Sequence, residues 1–367
     1  MAGAARPLLL HVFATFAVGG PQARFAALAN AFGERYRHIV VAMDGNYACA
    51  SRLAPDLDLR CEAIGAAKNA TFGNVRRFRR LLRDFAPDTL LTYNWGAIEW
   101  AMANIPRVAR HVHVEDGFGP EERAGQLRRR VLTRRVVLAR STVVLPSRTL
   151  WRIATTIWRL APKRVHYIPN GIDLERFSPA RASLGPADAP PVIGTVAALR
   201  AEKNLPRLLR AFAAMAPAAP AHPRRSPAAR PALENLAQSL GLGERVQFTG
   251  HIDDPAPLYA GFDVFALSSD TEQMPLSVIE AMASGLPVAT TDVGDVRAML
   301  SEENAPFIGP LDEAGLTRSL TSLVGDPALR ARIGEANRAK ARAAFDQAAM
   351  FRAYDALWSN TGPPQAA

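Results

Sequence analysis

The sequence predicts an α/β chain: two doubly wound, Rossmann-like domains facing across a cleft. Three observations carry that prediction. Short apolar runs alternate with amphipathic helical stretches from one end of the chain to the other. The runs are continuously apolar, as strands covered on both faces of a parallel sheet require. The alternation also restarts after a junction around Asn170–Pro179, so two sheets are expected in tandem.

In the first half, Leu8–Phe13, Ile39–Met43, Leu59–Ile64, Thr89–Tyr93, His111–Val114, Thr142–Leu145 and Val165–Ile168 read as strands. Phe25, Leu28, Ala29 and Phe32 mark one helix face, and Val75, Phe78, Leu81, Leu82 and Phe85 another. In the second half the strands are Val192–Val196, Val246–Phe248, Val264–Leu267, Pro287–Thr290 and Phe307–Ile308, with helices near 205–215, 231–240, 276–284 and 313–324. The expected division is a domain over 1–174, a second over 175–342, and a closing helix and tail over 343–367 packing back toward the first. Ligands in such sheets bind beyond the carboxyl ends of the strands, so chemistry is expected there.

A chain of 367 residues, 49% apolar and 21% charged, is long enough for two cores. Cys49 and Cys61 make neither a disulfide framework nor a zinc pattern, and a reducing compartment fits best. Leu8–Phe13 is too short for an export signal and is interrupted by His11. No apolar run approaches the roughly 20 residues of a membrane span. A cytoplasmic protein is expected, at most peripheral on the inner face of the plasma membrane.

The net charge of +10 is uneven: residues 1–180 hold 27 Lys and Arg against 14 Asp and Glu, while the remainder is slightly acidic. Much of the excess sits in Arg76, Arg77, Arg79, Arg80 and Arg83, and in Arg128, Arg129, Arg130, Arg134, Arg135 and Arg140. Either these form solvated helix faces, or one domain meets an anionic partner such as a membrane surface. Nucleic acid is not expected, because no recognition module accompanies the charge.

The strongest local signal runs from Ser268 to Val288. A strand ends at Leu267, a polar loop follows, and Pro275 suits the first turn of a helix that stops at Gly285 before Pro287. The start of that helix presents backbone N–H groups and a positive dipole end, a ready phosphate site. Glu272 precedes the helix and Glu280 lies in its second turn, and a carboxylate can accept two hydroxyl bonds from a sugar or ribose. The plainer alternative makes Glu272 a capping charge and Glu280 a solvated helix residue.

This segment, with its Glu-x7-Glu spacing and Glu-Ala-Met-Ala-Ser-Gly-Leu-Pro-Val run, resembles the signature of the family 4 retaining glycosyltransferases, which have the GT-B fold. Other stretches match in order. Val144–Ser147 and Tyr167–Asp173, which includes Asn170, resemble the family's domain junction. Leu199 to Asn204 resembles its phosphate-binding lysine loop. Val246–Gly250, followed by His251, resembles the strand and loop that meet the base.

The resemblance implies that Glu280 bonds the donor ribose, that Glu272 holds the transferred sugar, and that backbone at Met274, Pro275 and Leu276 cradles the diphosphate. Lys203 would neutralise the leaving nucleoside diphosphate, as a metal-independent enzyme without cofactor requires. The family's arginine before this lysine is absent: Ala197-Ala198-Leu199 stands there, and Arg200 is the candidate substitute. Gly19 and Gly20 resemble the family's glycine loop, and Asp116 stands where relatives place a histidine facing the anomeric carbon. Asp116 also reads as an ordinary turn former before Gly117, and His113 as a packed strand residue.

The implied activity is transfer of a sugar from a UDP- or GDP-linked donor to a glycan or lipid-linked acceptor with retention, in cell-surface polysaccharide or glycolipid synthesis. The competing readings are a sugar-nucleotide epimerase and a catalytically impaired relative that binds nucleotide or a partner.

Ala216–Pro231 is anomalous. A strand is expected there, yet Pro217, Pro220, Pro223, Pro227 and Pro231 exclude a central one. His222–Ser226 can be encoded by CAC CCT CGT CGT AGT, which read one base later begins Thr-Leu-Val-Val, so a compensated pair of frameshifts would account for a lost strand.

Overall fold

The computed structural model describes residues 6–67, 70–122, 125–177, 190–215, 221–224, 230–250, 252 and 254–361. The chain divides into two compact units, Met1–Pro169 with Met350–Ala367, and Asn170–Ala349. The division thus falls a few residues before the boundary at 174, at the peptide after Pro169.

In the first unit the elements are β1 (Leu8–Phe13), α1 (Gly20–Phe32), β2 (Arg37–Ala42), β3 (Leu59–Glu62), α2 (Thr71–Phe85) and β4 (Thr89–Tyr93). They continue with α3 (Ile98–Ala103), β5 (Arg110–Val114), α4 (Arg128–Val137), β6 (Thr142–Leu145), α5 (Arg148–Thr156) and β7 (Val165–Tyr167). All strand pairs are parallel in the order β3-β2-β1-β4-β5-β6-β7, with Leu9 opposite both His38 and Thr89. Successive side chains on a strand point to opposite faces. One face, with Leu9, Phe13, Val40, Leu91 and Val112, packs on Phe25, Leu28 and Phe32 of α1. The other, with Leu10, Val12, Ile39 and Leu90, takes Phe78 and Leu82 of α2 and Trp100 of α3. Val143 and Leu145 lie against Leu150 and Ala154 of α5.

The second unit contains β8 (Ile193–Val196), α6 (Leu205–Ala213), β9 (Ala221–Arg224), α7 (Arg230–Ser239), α8 (Ala256–Ala260) and β10 (Val264–Leu267). Then come α9 (Leu276–Ala283), β11 (Val288–Thr291), α10 (Val296–Met299), β12 (Ile308–Gly309), α11 (Glu313–Gly325) and α12 (Pro327–Ala344). Its sheet is parallel in the order β12-β11-β10-β8-β9. The last helix, α13 (Gln347–Trp358), gives Met350, Tyr354, Leu357 and Trp358 to the core of the first unit.

Two expectations are corrected. Val246–Phe248 forms no strand and keeps only a bridge position at Val246. The proline-bearing stretch does hold a strand: β9 pairs with β8, Thr195 opposite Pro223. It sits at the sheet edge among the described residues, where a missing proline N–H is tolerated. Residues 216–220 and 225–229 lie outside the described residues.

Candidate active site

The second sheet reverses direction between β8 and β10, which pair through Val264 and Ile193 while their successors run to opposite edges. That is the topological switch point, where loops separate and leave a binding crevice. The two loops leaving these strands are tied together. The Asp270 N–H donates to the Glu202 carbonyl (2.8 Å), and Ser268 Oγ to the Lys203 carbonyl (2.9 Å). Arg207 of α6 donates to the Ser268 carbonyl (2.9 Å) and pairs with Asp270 (2.8 Å), and Asn204 Nδ2 reaches the same carboxylate (2.9 Å).

Within this frame Lys203 Nζ lies 2.5 Å from Glu272 Oε1, which also accepts from Ser269 Oγ at 2.7 Å. Gly294 packs against the Glu272 main chain at φ +54, where a Cβ would meet the Glu272 carbonyl at 2.4 Å. The position therefore needs glycine. The Asp295 N–H donates to the Gln273 carbonyl (2.9 Å), and Asn170 Nδ2 to the Met274 carbonyl (3.2 Å). Asn170 thus supports the loop from behind.

Pro275 is the N-cap of α9, one position earlier than a first-turn residue, and offers no side-chain bond to the N–H groups that follow. The helix ends as expected: Gly285 has φ +71, and the Gly285 and Leu286 N–H groups bond back to Met282 and Ala281. This is a Schellman closure. Glu280 lies about 6 Å along the axis from Leu276. It is half-buried, so the reading of it as a solvated helix residue does not hold. Tyr259 Oη of α8 donates to its Oε2 at 2.6 Å. Burial pushes the Glu280 carboxyl above the usual range, against the pull of the Tyr259 bond and the Arg176 charge. Burial likewise pushes the Tyr259 hydroxyl well up.

Arg200 does not join this cluster. Its side chain is 69% exposed and reaches Glu202 only at 4.0 Å. The buried cation beside the loop is Arg207, which the sequence reading passed over because an arginine on a helix reads as surface. Gly250 adopts φ +103, and His251 lies outside the described residues.

The first sheet reverses between β1 and β4. Gly96 there sits where a Cβ would lie 2.3 Å from that of Ala14. Gly19 is the N-cap of α1 with extended backbone, φ −161, so its conformation does not demand glycine, and Gly20 opens the helix. One turn on, Arg24 holds both oxygens of Asp116, at 2.6 and 2.9 Å, while the Asp116 N–H donates to Asn94 Oδ1 at 2.7 Å. Asp116 is therefore a fixed ion-pair partner, more than a turn former. Burial opposes the Arg24 charge, but Asp116 outweighs it and holds the guanidinium firmly protonated.

The arginines of α4 are not all solvated. Arg134 is fully buried, with Nε on Glu115 (3.2 Å) and both terminal nitrogens on Glu122 (3.0 Å), inside a cage of Trp95, Phe118 and Trp158. It clamps both ends of the loop that carries Asp116. Burial alone would raise the Glu122 carboxyl, but the bonds from Arg134 and Arg130 pull it below the usual range. His113 is packed, sharing Thr92 Oγ1 with His111.

Two doubly wound parallel units, with polar loops gathered at each switch point, define a GT-B scaffold. The family models agree: "Glycosyltransferase Family 4" matches residues 18–176 and "Glycosyl transferases group 1" matches 177–340, and the chain belongs to this glycosyltransferase family. It is similar to the lipopolysaccharide core biosynthesis glycosyltransferase LpsE of Rhizobium meliloti, 34% identical over 33% of this chain and 36% of the relative. It is also similar to D-inositol 3-phosphate glycosyltransferase of Salinispora arenicola, 32% identical over 48% of this chain and 45% of the relative. The chain thus matches less than half the length of these relatives. Among solved structures, Anabaena Alr3699/HepE in complex with UDP-glucose superposes with a TM-score of 0.80 at 19% identity, over 96% of this chain and 100% of that one.

Proposed function

We propose that the protein is a retaining glycosyltransferase that moves a sugar from a UDP- or GDP-linked donor to a glycan or lipid-linked acceptor, in cell-surface polysaccharide or glycolipid synthesis. The observation that carries it is the meeting of the Lys203 ammonium and the Glu272 carboxylate at the β8–β10 switch point, just before α9. Family membership and the UDP-glucose held by the similar Anabaena protein support the donor class.

Charge accumulates on the diphosphate as the glycosidic bond breaks, and a fixed cation aimed at it stabilises that transition state. Lys203 supplies this cation, so the reaction runs without metal. Glu272 accepts from hydroxyls of the transferred sugar, Glu280 from the ribose, and the first N–H groups of α9 take phosphate oxygens. The first unit takes the acceptor, with Asp116 paired to Arg24. Screening UDP-, GDP- and ADP-sugars for nucleoside diphosphate release tests the reading, and NMR of the product's anomeric configuration tests retention. No release from any donor would leave a nucleotide-binding relative without turnover; release of a rearranged sugar without transfer would make it an epimerase.

A peripheral site of action, at the cytoplasmic face of an anionic membrane, is supported by α4, which is inside out. Arg130 and Arg134 face inward, while Leu132 and Val136 are each 62% exposed. Arg128, Arg129 and Arg135 share that outer stripe. A stripe of cations around two apolar side chains suits a bilayer interface. Among the described residues, no helix is long and apolar enough to cross a membrane.

A further inference from the structure

We infer that Lys203 and Glu272 form an exchange pair that biases the site toward the intact nucleotide sugar and against its nucleoside diphosphate product. This rests on the donor placement proposed above, in which the two residues serve different parts of one ligand.

The ammonium and the carboxylate are within 2.5 Å, with side chains only 22% and 10% exposed. The bond is not what holds the two loops together. That task falls to Asp270 on Glu202, Ser268 on the Lys203 carbonyl, and Arg207 and Asn204 on Asp270. None of those bonds uses the Lys203 ammonium or the Glu272 carboxylate. Each partner is also held independently. The Lys203 N–H donates to the Arg200 carbonyl (3.0 Å), and Glu272 keeps Ser269 Oγ (2.7 Å) and the close packing of Gly294. The pair can open by side-chain rotation with both backbones fixed.

A diphosphate that binds Lys203 must take it from Glu272. When a sugar is attached, its hydroxyls replace the lost donor, and Glu272 is satisfied again. A bare nucleoside diphosphate brings no such replacement and leaves a carboxylate that is only one-tenth exposed with a single hydroxyl partner. Opening the pair is therefore compensated for the donor and uncompensated for the product. Once the sugar has been transferred, re-pairing of Glu272 with Lys203 loosens the diphosphate and favours release.

Calorimetry of UDP, GDP and their sugars on the parent and on Glu272→Gln, Lys203→Ala and the double variant tests this. Glu272→Gln keeps the shape and the Ser269 bond. It should tighten nucleoside diphosphate binding about two- to fivefold, the worth of a partly exposed ion pair, while weakening the nucleotide sugar. Glu272→Asp, which withdraws the carboxylate, should change the diphosphate affinity in the same direction. The gain from Glu272→Gln should be larger with Lys203 present than in the Lys203→Ala background. Simple repulsion of phosphate by Glu272 gives the opposite order, because Lys203 would screen it, and that order would overturn the inference. So would unchanged or weaker diphosphate binding in Glu272→Gln when Lys203→Ala does weaken it. If Lys203→Ala has no effect on the diphosphate, the donor placement itself is wrong.

Discussion

Tyr259→Phe removes one oxygen from a ring that is almost fully buried between Phe177, Phe262 and Phe265. That oxygen donates to Glu280 Oε2 at 2.6 Å, so the variant deprives a half-buried carboxylate of its closest donor. A hydrogen bond to a charged group contributes about 1.5–3 kcal/mol, the scale of the expected loss shared between folding and ligand positioning. The more telling readout is pH. Glu280 can accept two ribose bonds only as a carboxylate, so nucleotide affinity should fall as pH drops through its pKa. Burial holds that pKa above the ordinary 4.5, so the fall begins at higher pH than for an exposed glutamate. The Tyr259 bond draws it down, so its removal should move the acid limb further up. Unfolding does not mimic this. A carboxyl raised by burial favours the folded state most when protonated, and its contribution falls only as pH rises from 4.5 through the folded value. Calorimetric titration of UDP or GDP between pH 5 and 8 on parent and variant decides the matter. Superimposable pH profiles would refute the coupling of Tyr259 to a nucleotide-binding Glu280.

Glu280→Ala and Lys203→Ala should each weaken nucleoside diphosphate binding by about 10- to 150-fold, and unchanged UDP and GDP binding in both would remove these residues from the donor site. Arg134→Ala leaves Glu115 and Glu122 buried without their shared cation, and should lower stability by about 3–5 kcal/mol in urea denaturation. Because Glu122 is held below the ordinary carboxyl range, the parent's own contribution from this clamp is complete above pH 4.5 and is lost as pH falls through the folded value. An unchanged midpoint in Arg134→Ala would show that the cage tolerates the vacated charge. Replacing Arg128, Arg129 and Arg135 by Ser should abolish binding to vesicles containing acidic lipid, and Leu132→Ser with Val136→Ser should weaken it. Equal binding of the parent to neutral vesicles, or none to acidic ones, would exclude the membrane surface.

Most strands could be read along the chain to within two residues, because a strand buried on both faces must be apolar throughout and local composition records that directly. Thr89–Tyr93, Thr142–Leu145 and Val264–Leu267 coincide with β4, β6 and β10. Two places differ from that pattern. Pro223 rules out a central position, and its strand is at an edge. Val246–Phe248 is apolar enough for a strand but contributes only a bridge position.

For the site, the spacing was legible along the chain: Glu272 and Glu280 eight residues apart around a helix start, with a lysine on an earlier loop. Helix periodicity and capping are local, so this spacing was readable without coordinates. Which of these groups meet depends on the packing of the sheet. Lys203 and Glu272 are 69 positions apart, Arg24 and Asp116 are 92 apart, and both pairs come together because parallel strands bring distant loops to one end of a sheet. The fate of the arginines depends on packing too. Arg128, Arg129, Arg130, Arg134 and Arg135 look alike in the sequence, but one helical turn separates Arg130 from Arg134 and places both inward, against Glu122. Whether a guanidinium is core or surface depends on a carboxylate elsewhere in the chain, and no local pattern carries that information.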